Sequence, residues 1–553
     1  MKTNRFLLIL AATAILSSCS STKNIHKKAV PEGSAAAVTV PAKKGALSEA
    51  ELNAWPHADI YRDSLPGMSL ERAYEFVSDK KGTTVVVGIV DSGIDITHED
   101  LKDLVWTNSD EVAGNGKDDD NNGYVDDVNG WNFLGGEGEA TPEQLEVTRL
   151  YKKLGNKYGE KTEGEIDADD MEEFALYQKV KRDYEKRIDD TQPKYDYYSK
   201  LKQYIAYADG EARAKLGKEE YTLADLNTLD EADRDPVLMQ VYSIGGTVAQ
   251  VKDEADYWLD HYGPLLKTHY NLDLDGRMTD DDAYDITDVP YGNGVVTGSL
   301  EDELHGTHVA GISLAKRDNG KGVNGVTNNV KLLSVRAVPD GDEYDKDVAL
   351  AIRYAVDNGA KVINMSFGKS YSPNAEWVYD AIKYAASKDV LLVHAAGNDN
   401  KDIDKSDNFP TDAPDKVNEI TDNVITVGAM TRNYNKDLVA TFSNYGKLNV
   451  DVFAPGLEIY STIPQNKYQL LQGTSMAAPA VTGVAAMVRS YYPELSASQV
   501  KHILMNSGIK VDKQVKLPGS EDKLVPFSDL SVSGRVLNAY NALKMADAMV
   551  NGN

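Results

Sequence analysis

The 553-residue sequence holds a single cysteine, Cys19, so neither an intrachain disulfide nor a cysteine-ligated zinc site can support its fold. Basic charge is scarce too: 59 Lys and Arg stand against 87 Asp and Glu, a net charge of −28. A surface of that sign repels phosphate backbones and anionic headgroups, which argues against nucleic acid as a partner and favours cations. The apolar stretch from Phe6 to Leu16 is too short to span a bilayer. Ordinary core-forming material is present, at 41% apolar residues, enough for a large catalytic domain and additional parts.

Lys2, Arg5, the apolar stretch and the small residues before Cys19 read as an export signal over residues 1–18. Leu16-Ser17-Ser18-Cys19 resembles the lipobox of bacterial lipoproteins, in which the cysteine is lipidated and becomes the mature N-terminus. A plain cleaved signal with an incidental cysteine is the alternative. Lipidation at Cys19 implies a bacterial envelope protein, in the outer membrane by the residue at Ser20, that meets membrane only through its lipid. Residues 19–58, polar and rich in Lys, Ala and Pro, read as a flexible tether with a coil span of about 35 Å.

From TTVVVGIVD (83–91) onward, apolar strands alternate with helical periodicity. KVINMSFG (361–368), DVLLVHAAGN (389–398) and NVITVGAM (423–430) are strand-like, and 345–360 and 375–388 are helix-like. Such alternation means a parallel α/β sheet, with chemistry at the carboxyl ends of its strands. Between 138 and 270 the alternation stops. Thr141, Pro142 and Gln144 suggest a capped helix start, with Val147, Leu150, Tyr151 and Leu154 on one face. A second helix carries Met171, Phe174, Tyr177, Tyr184 and Ile188, and a third, after Pro193, carries Tyr198, Leu201 and Ile205. The expected organisation is a first catalytic part (59–137), a helical insert (138–270) and a second catalytic part (271–553).

Three segments stand where a strand ends or a helix begins: VVVGIVDSGIDITHEDL, LHGTHVAGISLA and GTSMAAP. They supply Asp91, His305 and Ser475, the residue types that a serine nucleophile needs as orienter, base and hydroxyl. In these segments, and in the chain order Asp, His, Ser, the sequence resembles the subtilisin-like serine proteases, the subtilases of peptidase family S8. The resemblance implies an α/β, three-layer fold with a mostly parallel central sheet flanked by helices, here with an inserted α-helical subdomain. It implies a serine endopeptidase acting on protein or peptide substrates through an acyl-enzyme, and a monomer.

Residue by residue, the resemblance makes Asp91 the orienter, His305 the general base and Ser475 the nucleophile. Ser475 would sit at a helix N-terminus, where backbone N–H groups favour developing negative charge. Asn398, in AAGN, would donate its amide to the oxyanion. Ser366, Phe367 and Gly368, with Ala395, Ala396 and Gly397, would flank the primary specificity pocket and pair with substrate as an added strand. His308 reads as packing, and His394 as a buried, satisfied histidine.

Two acidic runs have calcium-like spacing. Asp118, Asp120, Asn122 and Asp126 surround Gly123, and Asn271, Asp273, Asp275 and Asp282 surround Gly276. Asp100 with the loop 318–325 resembles a structural calcium site of the family. Structural Ca²⁺ is expected, and no catalytic metal.

The separation of 214 residues between Asp91 and His305 far exceeds that of compact family members, and the insert accounts for most of it. An insert leaving the body there is expected to shape or gate substrate access. The competing reading is an envelope-anchored binding protein on an inactive protease fold. It would be marked by a substituted triad member, and none is substituted.

Overall fold

Runs such as Val85-Val86-Val87 are apolar on both sides, so the strands they form need cover on both faces. The computed structural model describes residues 46–552; the expected export signal, Cys19 and the expected tether up to residue 45 lie outside the described residues. Helices α1 (Glu49–Ala54) and α2 (Leu70–Phe76) precede strand β1 (Val85–Asp91) and the short β2 (Gly130–Asn132). Then come α3 (Glu146–Tyr158), α4 (Met171–Leu216), α5 (Leu223–Leu226), α6 (Pro236–Ser243) and α7 (Val248–Pro264). Alternation resumes with α8 (Asp302–Leu314), β3 (Val330–Arg336), α9 (Asp345–Asp357), β4 (Ala360–Met365), α10 (Ala375–Ser387), β5 (Leu391–Ala395), β6 (Val424–Met430) and β7 (Val452–Pro455). The hairpin β8 (Ile459–Ile463) and β9 (Lys467–Leu471) leads into α11 (Thr474–Tyr491) and α12 (Ala497–Ser507). Strands β10 (Ile509–Lys510), β11 (Gln514–Lys516), β12 (Leu524–Pro526) and β13 (Arg535–Val536) and helix α13 (Ala539–Asn551) follow.

The central sheet has nine strands in the order β10-β13-β7-β6-β5-β4-β1-β3-β2, and its pairs are parallel except β10 with β13. Pleating divides each strand between two cores. On β1, Val87 and Ile89 join the core shared with α8 and α11, while Val90 joins the core under α9 and α10. Because β1, β4 and β5 run the same way, Asp91, Ser366 and Asn398 emerge at one edge, on the layer where α11 lies.

Three local expectations are corrected. Residues 49–58 are not the end of a tether: Ser48 and Glu51 make a capping box for α1, and Trp55 is fully buried, its indole N–H donating to the Glu458 carbonyl at 3.3 Å. Thr141 caps no helix; α3 starts at Glu146, and Thr141 instead hydrogen-bonds Asp302 through its amide and hydroxyl. The backbone of Pro142 is bridged to Asp340, which draws the segment out of helical geometry. The second and third expected helices are one, α4, with Pro193 in its interior. A proline there removes one backbone bond and crowds the preceding turn. Packing against α7 outweighs that local loss: Tyr198 stacks on Trp258 (5.7 Å), and Trp258 on Tyr262 (5.5 Å).

The helices between β2 and α8 have apolar clusters of their own, one of which takes in a residue from the sheet side. Tyr371 packs with Val147, Leu150, Phe174, Tyr177 and Tyr184. That contact fastens the helices between β2 and α8 to the loop after β4, beside Ser366-Phe367-Gly368.

Candidate active site

Asp91 ends β1 at 1% exposure, where an unpartnered carboxylate would be costly. Its Oδ1 accepts the Ser92 amide at 2.8 Å and His305 Nδ1 at 2.7 Å. The approach depends on Gly306. A Cβ there would lie 2.1 Å from the Gly93 carbonyl oxygen and 3.3 Å from Asp91 Cβ, so only glycine lets α8 come this close to the end of β1. A carboxylate can only accept, so Nδ1 carries the hydrogen and Nε2 keeps its lone pair. Burial is the largest single influence on His305 and works against the imidazolium. The charge and hydrogen bond of Asp91 together outweigh it, and the pKa is raised above 6.5. The ring remains about a third open, with 37% of the side chain exposed, so a proton can reach it.

α8 packs directly on α11, which is buried from Gly473 to Ser490 except at Ser475. Its small residues permit this, and the one reachable hydroxyl falls in the first turn. Ser475 Oγ donates to the Ser366 carbonyl at 3.1 Å, a rotamer from which rotation about χ1 redirects the proton. Ser366 in turn donates its hydroxyl to the Ser475 carbonyl at 2.9 Å and accepts from Asn364.

Asn398 is oriented by Thr474, whose amide (2.8 Å) and hydroxyl (3.0 Å) both donate to Asn398 Oδ1. Its Nδ2 is thereby turned to the other side. A Cβ on Gly473 would lie 3.4 Å from that nitrogen and 3.5 Å from the Ser475 backbone nitrogen, so the two donors border one small space. In the sequence Thr474, with Ala477 and Ala478, reads only as room for close packing; its hold on Asn398 appears in the structure alone.

Ser475, Asn398, Ser366, Phe367, Gly368, Ala395 and Gly397 line one cleft of about 360 Å³. Ala396 does not: it is fully buried, its amide donating to Val427 and its carbonyl accepting from Asn444. His394 is buried and hydrogen-bonds the Phe367 carbonyl at 3.0 Å; burial pushes its pKa down to about 4, so it stays neutral and fixes that segment. Leu145, Val147 and Arg187, from the segment between β2 and α8, also line the cleft. Nothing local in the sequence marked them as cleft residues, because their place depends on how these helices fold back.

The acidic loop after β1 gathers a different group of carboxylates from the one its spacing suggested. Carboxylate oxygens of Glu111, Asp120 and Asp127 lie within 4.8 Å of one another. Asp118 accepts the Asn122 and Gly123 amides, and Asp126 those of Asn115 and Gly116, so these two shape the loop. Asn122 donates to Asp120 and Asp127 at 3.1 Å each. Burial raises the pKa of Asp127, and Glu111 Oε2 is buried without a hydrogen-bond partner. Hard oxygen donors, like charges and an orphaned buried oxygen fit a cation such as Ca²⁺. In the second run, Asp282 caps the Tyr284 amide and Asn271 Oδ1 the Asp273 amide; among the described residues, Asp273, Asp275 and Asp282 form no such cluster. Asp100 is satisfied by Asn319, Val323 and Tyr468.

The chain is similar to the thermophilic serine proteinase of Bacillus sp. (strain AK1), 40% identical over 219 residues, which are 39% of this chain and 48% of that protein. Subtilisin DY of Bacillus licheniformis is 40% identical over 204 residues, 37% of this chain and 69% of that protein. The cell wall-associated protease of Bacillus subtilis (strain 168) is 34% identical over 253 residues, 46% of this chain and 26% of that protein. The chain thus spans about half the length of the first of these relatives. The subtilase family model matches residues 82–524, from the approach to β1 to the first residue of β12. With this match over most of its length, the chain belongs to the subtilase family of serine proteases.

Proposed function

We propose that the protein is a serine endopeptidase in which Asp91, His305, Ser475 and Asn398 act together. The observation that carries this reading is the 2.7 Å hydrogen bond that leaves His305 Nε2 as a free base, on a helix packed against the one exposing Ser475. His305 Nε2 takes the hydroxyl proton as Ser475 Oγ attacks the substrate carbonyl carbon. The Asn398 amide and the Ser475 N–H donate to the oxyanion, and His305 then protonates the leaving amine. Water, deprotonated by His305, attacks the acyl-enzyme; the acid leaves and Ser475 regains its proton. Removing one oxyanion donor costs roughly 100- to 1,000-fold in turnover, a magnitude that comes from subtilisin, a member of this same family.

The reading extends to a Ca²⁺ ion held by Glu111, Asp120 and Asp127 as a structural ion, and to anchoring in a bacterial envelope by lipid on Cys19. The insert, with Leu145, Val147 and Arg187 in the cleft wall, shapes substrate access. An active-site-directed organophosphonate tests the core: it should label the protein once and fail on Ser475→Ala. Labelling of Ser475→Ala, or none of the wild type, sinks it.

A further inference from the structure

Ser475, Phe367 and Arg187 line the same cleft, and Arg187 is a cation supplied by helix α4. That helix is pinned to both walls. On one side the Tyr371 hydroxyl donates to Asp183 at 3.3 Å; on the other, Lys179 pairs at 2.6 Å with Asp407, next to the cleft residue Asn408. Arg187 is therefore held rather than free to swing away. Asp183 engages the Nε edge of its guanidinium through Nε at 3.2 Å and Nη2 at 3.5 Å, and Tyr270 is a further hydrogen-bond partner, so part of the five-N–H fork remains for a second carboxylate.

Every charged residue of the cleft has a partner, Arg187 beside Asp183 included, but Arg187 keeps 30% of its side chain exposed whereas Lys369 keeps 2%. Lys369 is buried against Asp345 (2.9 Å) and Glu146 (3.2 Å). Asp342 accepts the Glu146 amide at 2.8 Å, and Asp399 lies 3.4 Å from Lys401 at the exposed rim. Arg187 is thus the cation placed to meet a substrate side chain. The geometry points to Arg187 as a specificity-determining residue that selects substrates carrying a carboxylate side chain on the acyl side of the scissile bond. This rests on the endopeptidase reading.

The test is a set of peptide pairs, Glu against Gln, at each of the four positions preceding the scissile bond. With 30% of the Arg187 side chain exposed, solvent screens the contact, and the wild type should prefer Glu about tenfold in kcat/KM at one position. In Arg187→Gln the preference should collapse, and in Arg187→Glu a Lys peptide should outrun the Gln peptide. If these variants fail to fold, the wild type still decides: its Glu preference should shrink as salt rises. A ratio near one at all four positions, a salt-independent ratio, or one that survives Arg187→Gln overturns the assignment. Failure of the wild type to cleave any peptide overturns instead the endopeptidase reading on which it stands.

Discussion

Gly306→Ala is a one-carbon change that tests the geometry of the site. The new Cβ would start 2.1 Å from the Gly93 carbonyl oxygen, and real Cβ atoms essentially never come closer than 3.0 Å. Since Asp91 Cβ crowds the same point at 3.3 Å, relief comes only by moving α8 away from the end of β1, by about 0.9 Å. A displacement of that size stretches the 2.7 Å bond between His305 and Asp91 to about 3.6 Å, beyond hydrogen-bonding range. A hydrogen bond to a charged partner is worth roughly 1.5–3 kcal/mol, so kcat/KM should fall by about 10- to 100-fold. Overpacking adds about 1–3 kcal/mol of destabilisation. Peptide turnover, read beside urea unfolding, separates the two losses. If Gly306→Ala unfolds like the wild type and keeps kcat/KM within about twofold, the close approach is not what positions His305.

Further outcomes follow from the same contacts. His305 must be neutral to take a proton and its pKa is raised by Asp91, so activity should rise with pH along an acid limb centred above 6.5. In Asp91→Asn the raising influence is gone while burial remains, and the residual activity should titrate below 6.5; a pH profile of kcat/KM in both proteins checks this. Removing calcium with a chelator should lower Tm, and Glu111→Gln with Asp127→Asn should abolish the difference; Ca²⁺ at 100 times its Kd contributes about 2.7 kcal/mol. Equal Tm with and without chelator in the wild type would count against the ion. Arg336 is fully buried, paired with Asp302 at 2.9 Å and bonded to the Ser92 carbonyl. Arg336→Leu should cost about 3–5 kcal/mol by stranding Asp302, and Asp302→Leu on top should recover part of it. Urea unfolding that shows simple addition of two losses would refute the pairing argument.

The sheet and its chemistry were legible because they are written locally. A strand buried on both faces has to be apolar throughout, and a helix that must approach a strand end has to carry a glycine, as Gly306 does after His305. Family-like segments therefore stand as short readable strings, in which Asp91, His305, Asn398 and Ser475 follow in order. The stretch 138–270 was readable as helical, but Pro193 misled, since one lost backbone bond counts for less than the aromatic stacking of Tyr198 and Trp258 that no local window contains. The metal-ligand spacing misled for a similar reason: Asp118 and Asp126 turned to nearby amides, while Glu111 and Asp127, which spacing did not select, were folded into one cluster.

What the sequence alone determined is the alternating fold and the kinds of residue that meet at the strand ends, because burial and chain order act through near neighbours. What only the tertiary structure decided is what surrounds them: that Trp55 belongs to the core, that Ala396 turns away from the cleft, and that Arg187 reaches it from a helix more than a hundred residues before His305. Those placements come from packing between distant segments, whose energy is shared among many contacts and leaves no mark at any one position.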